Sequence, residues 1–448
     1  MNSYILQAAT TPVPRDLPLD LPLPEWLLVT LLIVSFLLHI IFVKLMVGGS
    51  ILTLWAEIKG LKNKEYDTFA YEVAKTVTVN KSMAVVFGVA PLLSINTLYT
   101  VYFYSANALT GLAWFMIIPL VTIAFLLTYL HKYTWNALAN YKYLHISIIA
   151  LAVLIFMIIP TIFLTNVNLM LFPERWAYVK GFLSALMLPN VLPRYVEFIG
   201  ACLTVTGIFI VWYNGRISYP VERIYLNMDR RGLKWLGYYI TMVGLGLQLV
   251  FGLIVMMSLP SKGINFEVIE LMVCGGVALL IALWFSWKAL SAESESVADA
   301  QFWKIATSIL IFILIYGGSR QMYREQALDK HRQLMHAKTA AFEKLSKEAR
   351  EHPIDDNTLL AVDSSLRDLA KGAALFKQNC ASCHKEKQRL VGPPVSEMAT
   401  IYSSNERGLK AWIKAPGKKR ADFPQMPGFP QLSEADLSEI AKYILSVK

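Results

Sequence analysis

The sequence predicts an all-α chain, a polytopic membrane helical bundle of about eight spans followed by a small helical domain at the C-terminal end. Three observations carry this. Hydrophobic residues make up 55% of the 448 residues, and the mean hydropathy is +0.46; soluble domains sit at roughly 45–50%. The apolar residues are gathered into runs long enough to span a bilayer. Most of the charge lies in the connections and in the last ~130 residues, so the net charge of +10 mainly describes loops and tail. No basic stripe stands apart from membrane topology, and nucleic acid is excluded as a partner on that ground.

The eight runs cover residues 25–58, 82–106, 111–131, 145–168, 184–213, 235–259, 266–290 and 302–320. A span takes about 20 residues, so the first and fifth runs are expected to tilt or project. Pro160 and the Gly48-Gly49 pair lie inside runs, which membrane helices tolerate. Residues 1–24 lack a basic start and hold five prolines before Glu25. They read as a short extended tail on the outer side rather than a signal peptide.

Lys and Arg set the expected orientation. The connection after the first run holds Lys59, Lys62, Lys64, Lys75 and Lys81, and that after the third holds Lys132 and Lys142. The fifth is followed by Arg216, Arg223, Arg230, Arg231 and Lys234, the seventh by Lys288 with Lys304 beyond. The alternate connections are poorer: none after the second run, Arg175, Lys180 and Arg194 after the fourth, Lys262 after the sixth. The richer set is expected in the cytoplasm, which puts both termini outside. Residues 25–320 then form the membrane domain. Residues 321–366, charged and helix-favouring as in Arg324-Glu325-Gln326-Ala327-Leu328, read as a stalk broken at Pro353-Ile354-Asp355-Asp356. Residues 367–448 form a compact domain.

That last domain contains Cys380-Ala381-Ser382-Cys383-His384. In a C-x-x-C-H motif the two thiols bond the vinyl groups of a haem and the histidine becomes the proximal iron ligand. The context is ordered. A helical segment from Gly372 carries Phe376 ahead of the motif. Gly392-Pro393-Pro394 follows, then Met426-Pro427-Gly428-Phe429-Pro430, then a capped amphipathic helix from Ser433 through Ile444. Residues ~367–448 thereby resemble class I cytochrome c. The resemblance implies one covalent haem c, Met426 as the sixth ligand and electron transfer on the outer face of an energy-conserving membrane. Met398 is the competing ligand, better read as a packing residue. Lys418-Lys419-Arg420 either steer an acidic redox partner or form a solvated loop.

The membrane runs carry a second, distant resemblance over residues ~25–325. His39-Ile40-Ile41-Phe42-Val43-Lys44-Leu45-Met46-Val47-Gly48 is similar to the H-x-x-F-V-P-L-x-x-G pattern of subunit I of bd-type quinol oxidases, in which the histidine binds haem. Gly88-Val89-Ala90, His145, Pro173 and Arg320-Gln321 follow in family order. Leu271-Met272-Val273 matches the run with the methionine ligand of the low-spin haem b. The departures are chemical. Glu197 stands where the family has its low-spin haem histidine and Gly317 where it has a liganding glutamate. Asn96 and Thr110 replace acidic groups of the oxygen site, and Pro260-Ser261-Lys262-Gly263-Ile264 replaces the long quinol loop. The resemblance therefore implies the fold and not oxygen reduction. It leaves open one haem b through His39 and Met272, and quinol binding.

Other residues have plainer readings. His131 and His145 are expected as interfacial or loop hydrogen bonders. Glu197 is read as paired with Arg194 in preference to a proton acceptor. Cys202 and Cys274 are read as small buried hydrophobes, and most tryptophans near run ends as the interfacial belt. The expected function is a membrane-bound c-type cytochrome in a respiratory or quinol-linked complex of the bacterial inner membrane. Its expected partners are other membrane subunits and a periplasmic donor or acceptor cytochrome. The alternatives are a haem-b-free docking anchor and, behind it, a bd-like terminal oxidase.

Overall fold

The computed structural model describes residues 21–351 and 356–447, and the backbone alone for residues 79–80, 349–350 and 356–367. The expected tail over residues 1–20 and the expected break at Pro353-Ile354-Asp355 lie outside the described residues. The chain divides into two compact units at residue 340. No strand occurs among the described residues.

The first unit holds helices α1 (Glu25–Gly60), α2 (Lys64–Leu98), α3 (Thr100–Thr110), α4 (Ile117–Tyr133), α5 (Lys142–Leu169), α6 (Val191–Gly215), α7 (Arg230–Ser258) and α8 (Phe266–Leu290), and α9 (Glu295–Glu351) starts in it. Eight helical segments among the described residues are long and apolar enough to cross a membrane, α4 counting together with the turn Leu112–Phe115. Helices are the required choice there, because a bilayer core offers no water to unpaired backbone groups.

α1 and α2 are joined by residues 61–63 only. Asn63 caps α2, its side chain accepting from the Glu65 amide at 3.0 Å. Lys64, Lys75 and Lys81, expected in a loop, therefore lie in α2. Its first half buries Phe69, Ala70, Val73, Ala74 and Val77, a stripe at helical spacing. The opposite face is polar, so no continuous apolar run announces it. The backbone breaks at Tyr99 (φ −127°, ψ 36°) and again at Gly111, whose φ of +54° favours glycine. The expected run 82–106 is thus the end of α2 plus α3.

α6 and α7 pack at backbone contact through small residues. A Cβ added at Gly207 would lie 2.6 Å from the Gly237 carbonyl oxygen, and one at Gly244 2.5 Å from that of Gly200. Between helices in lipid, where apolar burial gives no preference for protein over acyl chain, such close approach supplies the dispersion contact. Gln248 adds a polar lock, donating to Thr204 Oγ1 at 2.7 Å.

α9 runs unbroken through residue 320, so the eighth apolar run and the first part of the expected stalk share one helix. A polar network anchors that stretch. Gln321 donates to the Tyr99 hydroxyl at 2.8 Å and to Glu325 at 2.7 Å, and Arg332 donates to Glu325 at 2.6 Å. Cys202 is buried as expected. Cys274 is not: it lies exposed on the outward apolar face of α8, because that helix buries Val268, Gly275, Ala278 and Leu279 instead.

In the second unit α10 (Asp356–Asn379) packs against α13 (Glu434–Ser446), with α11 (Val395–Ile401) and α12 (Glu406–Lys414) around them. Phe376, Cys380, Val395, Leu409, Ile413, Leu437, Ile440, Ala441 and Ile444 form its core. The α10–α13 crossing requires Gly372, where a Cβ would sit 2.2 Å from the Glu439 carbonyl oxygen. Ser433 caps α13, accepting from the Asp436 amide at 3.1 Å.

Substituting Gly207 by leucine forces α6 from α7 and is expected to cost about 1–3 kcal/mol or more, read as a lower melting midpoint in detergent. Gly246→Ala, on a site with nothing within 4 Å, is the control and is expected to leave the midpoint unchanged or higher.

Candidate functional site

The C-x-x-C-H motif begins where α10 ends. The Cys383 amide donates to the Cys380 carbonyl at 3.1 Å and the His384 amide to the same carbonyl at 3.0 Å. This turn holds both cysteines and the histidine within one five-residue bend at the end of α10. Cys380 belongs to the core, while Cys383 is half-buried at its edge. Burial, with the neighbouring Cys383 sulfur, pushes the Cys380 thiol up to about 11, so the unattached side chain is a neutral thiol.

His384 is buried at 7% exposure, and its Nδ1 donates to the Pro393 carbonyl at 2.8 Å. That bond fixes the tautomer and leaves the Nε2 lone pair for a metal. Gly392 lies against the ring: a Cβ there would be 2.3 Å from His384 Cε1. The Gly392 amide donates to the Cys383 carbonyl at 2.8 Å, tying this segment to the motif. Two thiols, an oriented imidazole and a side-chain-free cover fit a covalently attached haem.

Met398 packs against the domain core from α11, whereas Met426 is half-buried in the irregular segment between α12 and α13, outside that core. Of the basic triplet, Arg420 is occupied by Glu397 at 2.5 Å and Asp422 at 2.9 Å. Lys419 lies over the Trp412 ring at 4.3 Å. Lys418 is exposed with no partner among the described residues.

The first unit contains a partly open cavity of about 470 Å³, mostly walled by Leu, Ile, Val and Phe side chains. His39 lines it. Its Nδ1 pairs with the Ala84 carbonyl at 2.8 Å, again leaving Nε2 free, and Gly88 makes room beside the ring. Met272 does not line this cavity; it packs with the cluster around Tyr99 and Tyr323. Glu197 also faces the cavity, but it forms no ion pair with Arg194. It accepts from the Tyr316 hydroxyl at 3.3 Å.

His131 and His145 lie at helix ends and are hydrogen bonders, and both are buried inside the protein. Both bind Glu57, itself fully buried in α1: His131 Nε2 pairs with Oε2 at 2.7 Å and His145 Nδ1 with Oε1. The two rings stack with centroids 4.0 Å apart, and the Trp135 ring stands edge-on to both. Lys142 reaches Glu57 at 3.1 Å and Asp67 at 2.6 Å. His145 Nε2 also lies 2.7 Å from the His131 carbonyl oxygen, which accepts. The three donor atoms lie within 4.8 Å of one another, a set that also suits a transition metal. The one signal in the sequence is an acid at the end of an apolar run, Trp55-Ala56-Glu57-Ile58.

A family model described as cytochrome c matches residues 369–448. Among similar proteins, cytochrome c6 of Synechocystis sp. is 31% identical over 90 residues, 20% of this chain and 69% of that protein. Cytochrome c6 of Cyanidioschyzon merolae is 28% identical over 79 residues, 18% of this chain and 74% of the relative. That of Cyanidium caldarium is 28% identical over 79 residues, covering 18% and 71%.

Two outcomes follow from these contacts. Gly392→Val is expected to lower covalent haem incorporation several-fold on a haem-stained gel. Glu57→Ala, which leaves buried cationic and imidazole groups unanswered, is expected to cost about 3–5 kcal/mol in a thermal melt. Glu57→Gln is expected to cost much less, since an amide can accept from His131 and donate to His145.

Proposed function

Because the chain belongs to the cytochrome c family through residues 369–448, we propose that it is a membrane-bound electron-transfer subunit whose haem c is held by Cys380 and Cys383, with His384 and Met426 as axial ligands. When bound, the haem supplies a one-electron Fe(III)/Fe(II) couple. The chain's residues tune and shield that couple. Pro393 holds the His384 ring in its ligating tautomer. A Met426 thioether would favour the reduced state and raise the potential. The observation that carries the reading is the oriented, buried imidazole beside two cysteines on one turn. For the sixth ligand, the support is that Met398 is engaged in core packing while Met426 is not.

The membrane unit is proposed to descend from the bd-type subunit I fold and to lie in a bacterial inner membrane, with the haem c domain on the periplasmic side. The loop charges support this orientation. Residues 61–63, 134–141 and 216–229 join helix ends that carry Lys and Arg, and Lys288 precedes residues 291–294. The intended partners are other membrane subunits of a redox complex and a periplasmic donor or acceptor cytochrome. Oxygen reduction is disfavoured by side-chain chemistry. Glu197 is the single carboxylate lining the cavity, and Thr110 donates back into its own helix, to Ala106, at 2.9 Å. A haem b bound through His39 is a second reading, favoured by the free Nε2 facing the cavity. Met272 is not its partner there, and nothing around Lys262 favours quinol: that side chain is engaged by the Leu171 carbonyl at 2.5 Å and Glu174 at 3.0 Å.

A pyridine haemochrome spectrum of the purified chain tests the assignment. One haem c per chain is expected; its absence would sink the proposal. A b:c ratio near one supports haem b as well, and His39→Ala should then abolish the b signal alone. Met426→Ala is expected to lower the potential and change the haem c spectrum, whereas Met398→Leu should leave both unchanged. The reverse result would exchange the ligands.

A further inference from the structure

The polar lining of the membrane-unit cavity is electrically one-sided. Lys44 on α1, Arg194 on α6, and Arg320 and Arg324 on α9 face it, against the single carboxylate of Glu197. Four positive charges against one negative leave three uncompensated. Arg324 is engaged, donating to Gln321 Oε1 at 2.7 Å. The charged ends of Lys44, Arg194 and Arg320 make no hydrogen bond and no ion pair with any described residue. Arg194 is 7% exposed and its Nε is buried without a partner. Arg320 stands over the Phe36 ring at 5.0 Å, an apolar neighbour. Glu197, the group placed to answer them, takes its hydrogen bond from Tyr316 instead.

Charged groups inside a membrane bundle persist where an opposite charge or a water-filled path meets them. Other buried ions described in this unit are met by protein groups: Glu57 has two imidazoles and Lys142, Lys234 has Glu295 at 2.7 Å and Asp299 at 2.8 Å, and Lys81 has the Thr128 hydroxyl at 2.8 Å. Here three cations from three helices converge on one space, and most of the remaining lining is apolar. The complement is a molecule with an acidic head and an oily body.

We infer that this cavity is a binding site for an anionic amphiphile, its acidic head held by Lys44, Arg194 and Arg320 and its apolar body lying among the Leu, Ile, Val and Phe side chains of α1, α2, α5 and α9. Two sources share that chemistry: an acidic phospholipid, through its phosphate, and a non-covalent porphyrin, through its propionate carboxylates. The porphyrin source rests on the haem b reading above. The anion site itself does not.

The test uses the full haem c-loaded chain purified in mild detergent, with native mass spectrometry for retained lipid and a pyridine haemochrome for b-type haem. About one equivalent of one or the other is expected in the wild type. Lys44→Met combined with Arg320→Gln is expected to lower it at least ten-fold, with haem c content and helical circular dichroism unchanged. His39→Ala separates the sources, because a porphyrin is lost and a phospholipid is kept. A wild type carrying neither ligand, or a double variant carrying as much as the wild type, overturns the inference. If the double variant does not fold, wild-type protein stripped of the retained ligand decides. Haemin should raise its melting midpoint and haemin dimethyl ester should not, or phosphatidylglycerol should and phosphatidylcholine should not. Equal effects within both pairs overturn the site.

Discussion

A charge inside an apolar bundle must be answered where it lies, and the membrane unit is arranged around that requirement. Water cannot supply the answer in a bilayer core, so other side chains do. Glu57 draws α4 and α5 onto α1 through His131, His145 and Lys142. Lys81, fully buried, is met by the Thr128 hydroxyl at 2.8 Å, the Phe125 carbonyl at 3.3 Å and the face of the Tyr129 ring. These contacts tie α2 to α4. Lys234 does the same between α7 and the start of α9. α6 and α7 meet through glycine along their middle, and Arg230 at the start of α7 donates to the Asn214 carbonyl near the end of α6 at 2.6 Å. The cavity cations are the exception to the rule, and that is why they point to a ligand rather than to structure.

The second unit obeys a related constraint at backbone scale. It is small, and small domains bury too little apolar surface to be stable by a wide margin. Its motif is accordingly built into the core. Cys380 packs among Phe376, Leu437 and Ile440, and His384 is held by a main-chain carbonyl rather than a mobile side chain. Gly372 and Gly392 sit where a β-carbon would strike, respectively, the facing helix and the imidazole. Function and packing therefore draw on the same residues. A change meant to alter the haem site also alters the fold.

Much of this is legible along the chain, and what is not legible has definite causes. The apolar runs locate the spans because period and length are local properties. The first half of α2 escapes because its buried stripe is flanked by lysines and glutamates, which dilute a run without disturbing a face. Cys274 misleads because an apolar run names a helix but not which side of it meets lipid. The Glu57 network is invisible because its members lie 74 and 88 residues apart. Arg194 and Glu197, three residues apart on one helix, look like a pair, yet the carboxylate turns to Tyr316 on α9.

By itself the sequence determined the helical class, the apolar segments long enough to cross a membrane, and the C-x-x-C-H motif of the cytochrome c domain, because each depends on contiguous residues whose chemistry acts over a turn or a span. Only the tertiary structure decided which ionisable groups meet. It closed Glu57, His131 and His145 into one hydrogen-bonded cluster, freed the Nε2 atoms of His39 and His384, and left Lys44, Arg194 and Arg320 facing one cavity with Glu197 as its single carboxylate among the described residues. Electrostatic compensation is a property of distances between helices, and no spacing along a single chain encodes it.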